Sequence, residues 1–205
     1  MPRPVGKTRD RMMDVAEVLF QRHGYAGVSV EDVTSALGVK KPNLYNHFRD
    51  KSELYVAVRL RRLSRLSSDI TAALTAPLRF EQRLEAAVAA LMRNPFFLAA
   101  LVNRESEAFL PGQMRDLLFA RSFGAVYEPL TRLLRAGVDN GCLQISPADI
   151  PFAYESLIAL AAHFGASAPL NGQPEDIAEM ADRISRFFLG GVGNAAAPSP
   201  GRTLA

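Results

Sequence analysis

Between Lys40 and Lys51 the chain carries Lys40, Lys41, Asn43, Tyr45, Asn46, His47 and Lys51. Their chemistry is recognition. An asparagine amide bonds the edges of bases, while lysine, tyrosine and histidine mostly reach phosphate oxygens. For bond-making chemistry the sequence offers little. His23, His47 and His163 are isolated, with no His-x-x-x-His or Cys-x-x-Cys spacing for a metal. There is no Gly-x-Ser-x-Gly elbow and no phosphate-binding glycine loop. Glu105 and Glu107 stand two apart and would not share a helical face. The single cysteine, Cys142, rules out an intramolecular disulfide, fits a reducing cytosol and reads as a small inert hydrophobe. The expectation is a protein that is no enzyme and needs no metal or cofactor.

The recognition residues must be held by something, and the residues before them supply it. Ser29 can cap a helix that begins at Val30, with Asp32 bonding back to complete a capping box. Val30, Val33, Ala36 and Leu37 then fall on one face. Gly38 can end that helix and turn the chain, and Val39 can fill the corner. A second helix starts near Lys40 or Lys41, with Pro42 in its first turn and Leu44 and Phe48 facing inward. Asp50 can cap a following helix, which puts Lys51 at that helix's N-terminus, a favourable place for a phosphate. Upstream, Lys7 to His23 forms a helix with Met12, Val15, Ala16, Leu19 and Phe20 on one stripe, ended by Gly24. Three helices with the reader third are what a helix-turn-helix domain needs for a core.

Three pieces of this segment carry a family resemblance. They are Leu19-Phe20 with Gly24-Tyr25, then Ser29-Val30, Val33 and Leu37-Gly38-Val39, then Leu44-Tyr45, Phe48 and Lys51-Ser52-Glu53-Leu54. In order, spacing and residue type they resemble the N-terminal domain of tetracycline-repressor (TetR) family regulators over roughly residues 7 to 56. The resemblance implies that Lys41, Pro42 and Asn43 open a recognition helix. It implies that Tyr45 and His47 touch the DNA backbone and that Lys51 binds a phosphate. Ser29 and Asn46 are counted with this DNA-facing set. Lys40 departs from the family pattern, where Ser or Thr commonly caps the helix; a lysine can add a phosphate contact instead.

Charge is distributed as this reading requires. The chain of 205 residues has a formal net charge of +3. Residues 1–66 carry 13 Lys and Arg against 7 Asp and Glu, while residues 67–205 carry 11 against 14. A basic front and an acidic rear suit phosphate binding at one end. No apolar run approaches the ~20 residues that would span a membrane, and the N-terminus lacks a signal-peptide core, so a cytoplasmic protein is expected.

Helical patterns continue throughout the remaining chain, giving an all-α expectation of about nine helices. One helix should run from Lys51 to about Thr75, with Arg59, Arg61, Arg62 and Arg65 as a solvated stripe. Others should span about Phe80 to Met92 and Pro95 to Phe109. A long segment from Met114 to Asn140 should be kinked or split by Pro129. Ser146, with Pro147 and Asp149, can cap a helix whose apolar residues are Ile150, Ala153, Tyr154, Leu157, Leu160, Ala161 and Phe164. A last helix after Pro174 should stop at Gly190-Gly191. The expected organisation is a helix-turn-helix domain over 7–50 and a helical domain over 51–191, with residues 1–6 and 192–205 as disordered tails.

The last two helices have a second apolar side, with Phe152, Ile158, Ala159 and Ala162 on one and Leu189 on the other. Such helices need two partners. The second is either more of the same core or the same helix pair of another subunit. The resemblance implies the dimer, for which Leu157, Leu160, Phe164, Ile184 and Phe188 are the candidate contacts. A twofold dimer would set two reader helices ~34 Å apart on a roughly palindromic duplex. Between these regions, Phe96, Phe97, Leu101, Glu105, Phe109, Phe119, Phe123, Tyr127 and His163 are candidates to line an apolar pocket. The resemblance places an inducer there. The expected function is a ligand-responsive regulator of transcription, a repressor released from its operator by a small, largely apolar effector. The alternative is a small-molecule-binding helical protein that does not bind DNA.

Overall fold

The computed structural model describes residues 5–94, 98, 108–167 and 174–193, and every regular element among them is helical. In chain order these are α1 (Val5–His23), α2 (Val30–Leu37), α3 (Lys41–Tyr45), α4 (Lys51–Thr75) and α5 (Phe80–Met92). There follow α6 (Gly112–Ser122), α7 (Glu128–Asp139), α8 (Ile150–Ser167) and α9 (Pro174–Gly193). The helix expected over Pro95 to Phe109 falls almost wholly outside the described residues. None of the helices described is long and apolar enough to cross a membrane.

The chain forms two compact units. One comprises Met1–Ser64 and Glu105–Arg121, the other Arg65–Arg104 and Ser122–Ala205. The division expected after residue 50 therefore moves. The first turns of α4 belong to the front unit because Leu54, Tyr55 and Val58 are buried there, with the Tyr55 ring edge-on to Phe20 at 5.1 Å.

In the front unit, Met12, Ala16 and Phe20 of α1 meet Val33 of α2, Leu44 of α3 and Phe48 just beyond it, all buried. Helix α1 begins at Val5, so Val5 and Gly6 are helical and not part of a loose arm. Gly24 (φ 66°) ends α1, donating its N–H to the Phe20 carbonyl at 2.9 Å, and Gly38 (φ 65°) ends α2. Both sit where only glycine is unstrained.

Three of the four arginines expected as a solvated stripe on α4 are engaged inside this unit. Arg59 is buried and donates to the Tyr55 hydroxyl at 3.3 Å. Arg61 pairs with Asp14 at 2.8 Å and with Glu17 at 2.9 Å, and Arg62 pairs with Glu17 at 2.6 Å. Glu17 thus serves two guanidinium groups and ties α1 to α4. Only Arg65 is exposed.

In the second unit α5 packs against α8 and α9, and α8 against α7. Pro129 splits the long segment through its upstream neighbours. A proline has no N–H for the carbonyl four residues earlier, and the chain widens into a π-turn at Phe123–Tyr127, where Glu128 donates to the Phe123 carbonyl. Ser146 does not form a capping box. Its hydroxyl accepts from Ala148 at 3.2 Å within a 3-10 turn, Pro147–Asp149, that precedes α8. Helix α9 does not stop at Gly190-Gly191 but runs to Gly193. Neither glycine takes a positive φ, so neither reverses the chain.

Glu17→Ala should remove one carboxylate partner from each of two partly buried guanidinium groups, lowering front-unit stability by about 1–2 kcal/mol. Urea unfolding should show it as a lower midpoint; an unchanged midpoint would mean the pairs are replaced by water at no cost.

Candidate nucleic-acid interface

The turn between α2 and α3 is built by reciprocal bonds. The Ser29 hydroxyl accepts the Asp32 N–H at 3.1 Å, and the Asp32 carboxylate accepts the Ser29 N–H at 2.7 Å and its hydroxyl at 2.7 Å. These bonds hold the Asp32 carboxyl below the ordinary carboxylate range, the Ser29 hydroxyl being the largest cause, then its N–H. A lowered pKa means that this stabilisation is present above the unfolded value and fades as pH falls through the folded one. Ser29 therefore has most of its hydroxyl engaged at the start of α2.

Helix α3 opens at Lys40 in extended conformation, without a side-chain cap, and Pro42 occupies its first turn. It is only five residues long; Asn46 is its C-cap, and His47 lies in the turn after it. Leu44 and Phe48 are fully buried and fix its inner side. Lys40, Lys41, Pro42, Asn43, Tyr45 and Asn46 face outward, and His47 is half-buried. Lys41 pairs with Glu31 of α2, a surface pair of small energetic value that leaves the lysine available. From α1, the Arg9 guanidinium lies 4.8 Å from the Phe48 ring centroid and donates to the Met13 sulfur at 3.7 Å. A shallow cavity of about 210 Å³ lined by Thr8, Arg11, Met12, Leu37, Gly38 and Val39 lies beside the turn.

Lys51 opens α4, as expected, and its side chain turns back onto the turn before α2. Its ammonium donates to the carbonyls of Tyr25 at 3.0 Å and Val28 at 2.9 Å, and sits 4.0 Å from the Tyr25 ring centroid. An ammonium has three donors, so one remains for a phosphate. Asp50 caps α4 by accepting the Glu53 N–H at 2.8 Å, while Glu53 turns back to the Arg49 N–H at 2.8 Å. Arg9, Glu17 and the Tyr25 hub were not legible as a set. Their signal is cation and aromatic side chains far apart in sequence, which no local period joins.

The pocket candidates are dispersed. Phe96, Phe97, Leu101 and Glu105 lie outside the described residues. Phe109 belongs to the front unit, where it stacks on Tyr25 with centroids 3.6 Å apart. Phe119 and Phe123 are exposed, at 62% and 43%. Tyr127 stacks on Phe123 at 4.7 Å and meets Tyr154 edge-on at 4.8 Å; burial pushes the Tyr154 phenol up. His163 is exposed, edge-on to Phe164. Of the interface candidates, Leu157, Ile184 and Phe188 are turned into the subunit's own core and Leu160 is half-buried, while Phe164 is 36% exposed. The apolar side chains that α8 and α9 leave outside are instead Phe152, 75% exposed, and Phe187, 72% exposed. Among the described residues no His, Cys, Asp and Glu cluster could hold a metal.

A capped helix, a left-handed glycine and a short second helix on a three-helix core define a helix-turn-helix protein. Residues 12–58 match the family model for bacterial regulatory proteins of the tetR family. The chain is 37% identical over 87 residues to the HTH-type transcriptional activator FasR of Mycolicibacterium smegmatis, covering 42% of this chain and 40% of that protein. It is 39% identical over 66 residues to the HTH-type transcriptional repressor ComR of Escherichia coli, covering 32% and 31%. These matches span well under half the length of those relatives. Over the whole fold the chain is similar to the TetR family transcriptional regulator PfmR from Thermus thermophilus, with TM-score 0.73 and 27% identity, covering 88% of this chain and 98% of that one. A bacterial regulatory protein in the tetR family from Rhodococcus RHA1 gives TM-score 0.76 at 22% identity, covering 92% and 98%. Residues 12–58 thus form a helix-turn-helix domain of the tetR family, on a chain whose fold is similar to that of TetR-family regulators.

Lys51→Met should leave two backbone carbonyls without their charged donor, destabilising the protein by about 2–3 kcal/mol. Urea unfolding measures this; a lysine that served only phosphate would leave the midpoint unmoved.

Proposed function

We propose that this chain is a homodimeric, cytoplasmic regulator that binds double-stranded DNA through α3 and responds to a small, largely apolar effector taken by the second unit. The observation that carries the DNA part is the two-sidedness of α3. Leu44 and Phe48 are locked into the core while Lys40, Lys41, Asn43, Tyr45 and Asn46 stand outside together. In this reading Asn43 bonds a base edge, and Lys40, Lys41, Tyr45 and His47 reach phosphates. Ser29 and Lys51 act mainly by holding the turn, with the third N–H of Lys51 left for a phosphate. A dimer seated on a roughly palindromic duplex denies those grooves to other proteins, so occupancy alone represses. The effector part is supported by the apolar, aromatic composition of the second unit and by the likeness to TetR-family regulators. Effector binding would favour a dimer geometry whose readers no longer match the groove spacing.

The outward side of α8 and α9 supports the dimer. Phe152 and Phe164 on α8 and Phe187 on α9 stand exposed, as does Ala159, with Leu160 half-buried and Glu155, Arg183 and Arg186 also on the surface. Exposed large apolar side chains on two packed helices that also carry both charge signs suit a self-complementary twofold contact. This replaces Leu157, Ile184 and Phe188 as the contact set.

Duplexes selected from a random-sequence pool provide the test. Wild-type protein should enrich a sequence, with affinity falling steeply with salt. Asn43→Ala should relax the preference at one position by about 1–3 kcal/mol, and Lys40→Ala should weaken all sequences alike and lower the salt slope by about one. No enrichment and no salt-dependent binding would return the chain to the reading of a small-molecule-binding helical protein. A Phe152→Glu, Phe187→Glu double variant should sediment as a monomer; a wild type that already does so removes the dimer.

A further inference from the structure

The corner between α2 and α3 has a further wall, and α1 supplies it. Thr8 and Arg11 stand three residues apart, so they share one face of α1. With Met12 they line the hollow of about 210 Å³ whose other side is Leu37, Gly38 and Val39. Met12 is fully buried and closes the floor, Thr8 is half-buried and Arg11 is exposed. Nothing stands within 4 Å of the place a Cβ on Gly38 would take, so the mouth stays open. The hollow is too small for a drug-sized ligand, whose pockets run to ~300–1,000 Å³. It has room for several waters, at ~30 Å³ each, and so for one tetrahedral anion.

The donors at this hollow are side chains. The Gly38 and Val39 N–H groups are spent on the Ser35 carbonyl at 3.1 Å and the Thr34 carbonyl at 3.0 Å. The Thr8 hydroxyl and the Arg11 guanidinium remain, and neither has a hydrogen-bond or ion-pair partner among the described residues. Most cations of the front unit are engaged internally: Arg61 and Arg62 by Glu17, Arg49 by Glu53 and Lys51 by the turn. Lys40, the residue after Val39, is exposed and, like Arg11, has no partner among the described residues. Two unpaired cations therefore flank one hollow, in a unit that pairs most of the others. A guanidinium matches phosphate oxygens two at a time, and a hydroxyl adds a neutral donor.

We propose that this hollow seats one phosphate of the DNA backbone, held by the Arg11 guanidinium and the Thr8 hydroxyl, with Lys40 on a neighbouring phosphate of the same strand. The seat makes α1 part of the DNA interface. It carries no sequence information. It fixes the register at which α3 meets base edges, because Val39 and Lys40 lead directly into that helix. The inference rests on the DNA-binding reading above and adds a docking contact outside the reader helix.

The test uses the full chain as wild type, Arg11→Gln, Arg11→Lys and Thr8→Val, with a duplex selected by the wild type. Arg11→Gln should bind it about tenfold more weakly, as loss of a charge-assisted hydrogen bond predicts, and should lower the salt slope by about one. Arg11→Lys should restore the slope. Thr8→Val should weaken binding about threefold with the slope unchanged, since a hydroxyl displaces no counterion. Single phosphates are then made neutral, one at a time, as methylphosphonates. At one position the wild type should lose affinity and Arg11→Gln should not. The urea midpoint of Arg11→Gln should match the wild type, because the guanidinium holds nothing within the fold. Unchanged affinity in Arg11→Gln, no such position in the scan, or a lowered urea midpoint would each overturn the proposal. Inorganic phosphate exchanged for chloride at equal ionic strength should leave wild-type binding unmoved; weakening of the wild type but not of Arg11→Gln would make the hollow a site for the free anion instead. If the wild type selects no duplex, the DNA-binding reading fails and this proposal with it. If a duplex is selected and Arg11→Gln binds it as the wild type does, this proposal fails alone.

Discussion

The front of this molecule is organised around one ammonium ion. Lys51 holds the carbonyls of Tyr25 and Val28 and faces the Tyr25 ring. Within the turn between α1 and α2 the Tyr25 carbonyl accepts only a long bond from the Val28 N–H at 3.4 Å, and a carbonyl short of donors is costly to bury. A single side chain from the first turn of α4 satisfies both. It thereby fixes where α2 begins, and through the α2 cap and Gly38 it fixes where α3 points. The orientation of the outward side chains on α3 follows from that chain of constraints.

A second consequence concerns charge. The front of the sequence is rich in cations, but many are engaged within the unit. Arg61 and Arg62 share Glu17, Arg59 is buried beside Tyr55, Lys51 is bound to the turn, Arg49 meets Glu53 and Lys41 meets Glu31. The formal surplus therefore overstates the charge presented outward. Counterion release scales with the charges that reach phosphate and not with those counted in the chain. Pairing a cation internally also orients its neighbours, so the same residues contribute shape instead of attraction.

The helix-turn-helix was legible in the sequence because its signals are local. Ser29 with Asp32, Gly38, and Pro42 are read within one turn of the structure they make, and α4 and α5 have the bounds that their patterns imply. What was not legible depends on meetings across the chain. Periodicity showed the arginines of α4 on a polar face, but not that Glu17 waited on α1. It showed Leu157, Ile184 and Phe188 as apolar, but not that the subunit's own core would take them and leave Phe152 and Phe187 outside. Phe109 reads as one aromatic among many in its region; only the return of its segment to the front unit gives it Tyr25 as a partner. Gly190 and Gly191 mislead for the opposite reason, since a glycine permits a stop without requiring one.

Helix α3 has only five residues, and two of its neighbours in the turn complete what it can display. In the proposed function, a reader so short spells a brief word. Brief words recur by chance throughout any genome, where about 10⁶–10⁹ competing sites are on offer. Lengthening the word would need a longer helix, which the left-handed glycine before it and the buried Phe48 after it do not allow. The remaining way to carry a message is syntax. Two copies of the same short word, set at a fixed interval, are rare where either alone is common, and the proposed dimer would write that interval outside the reading helix.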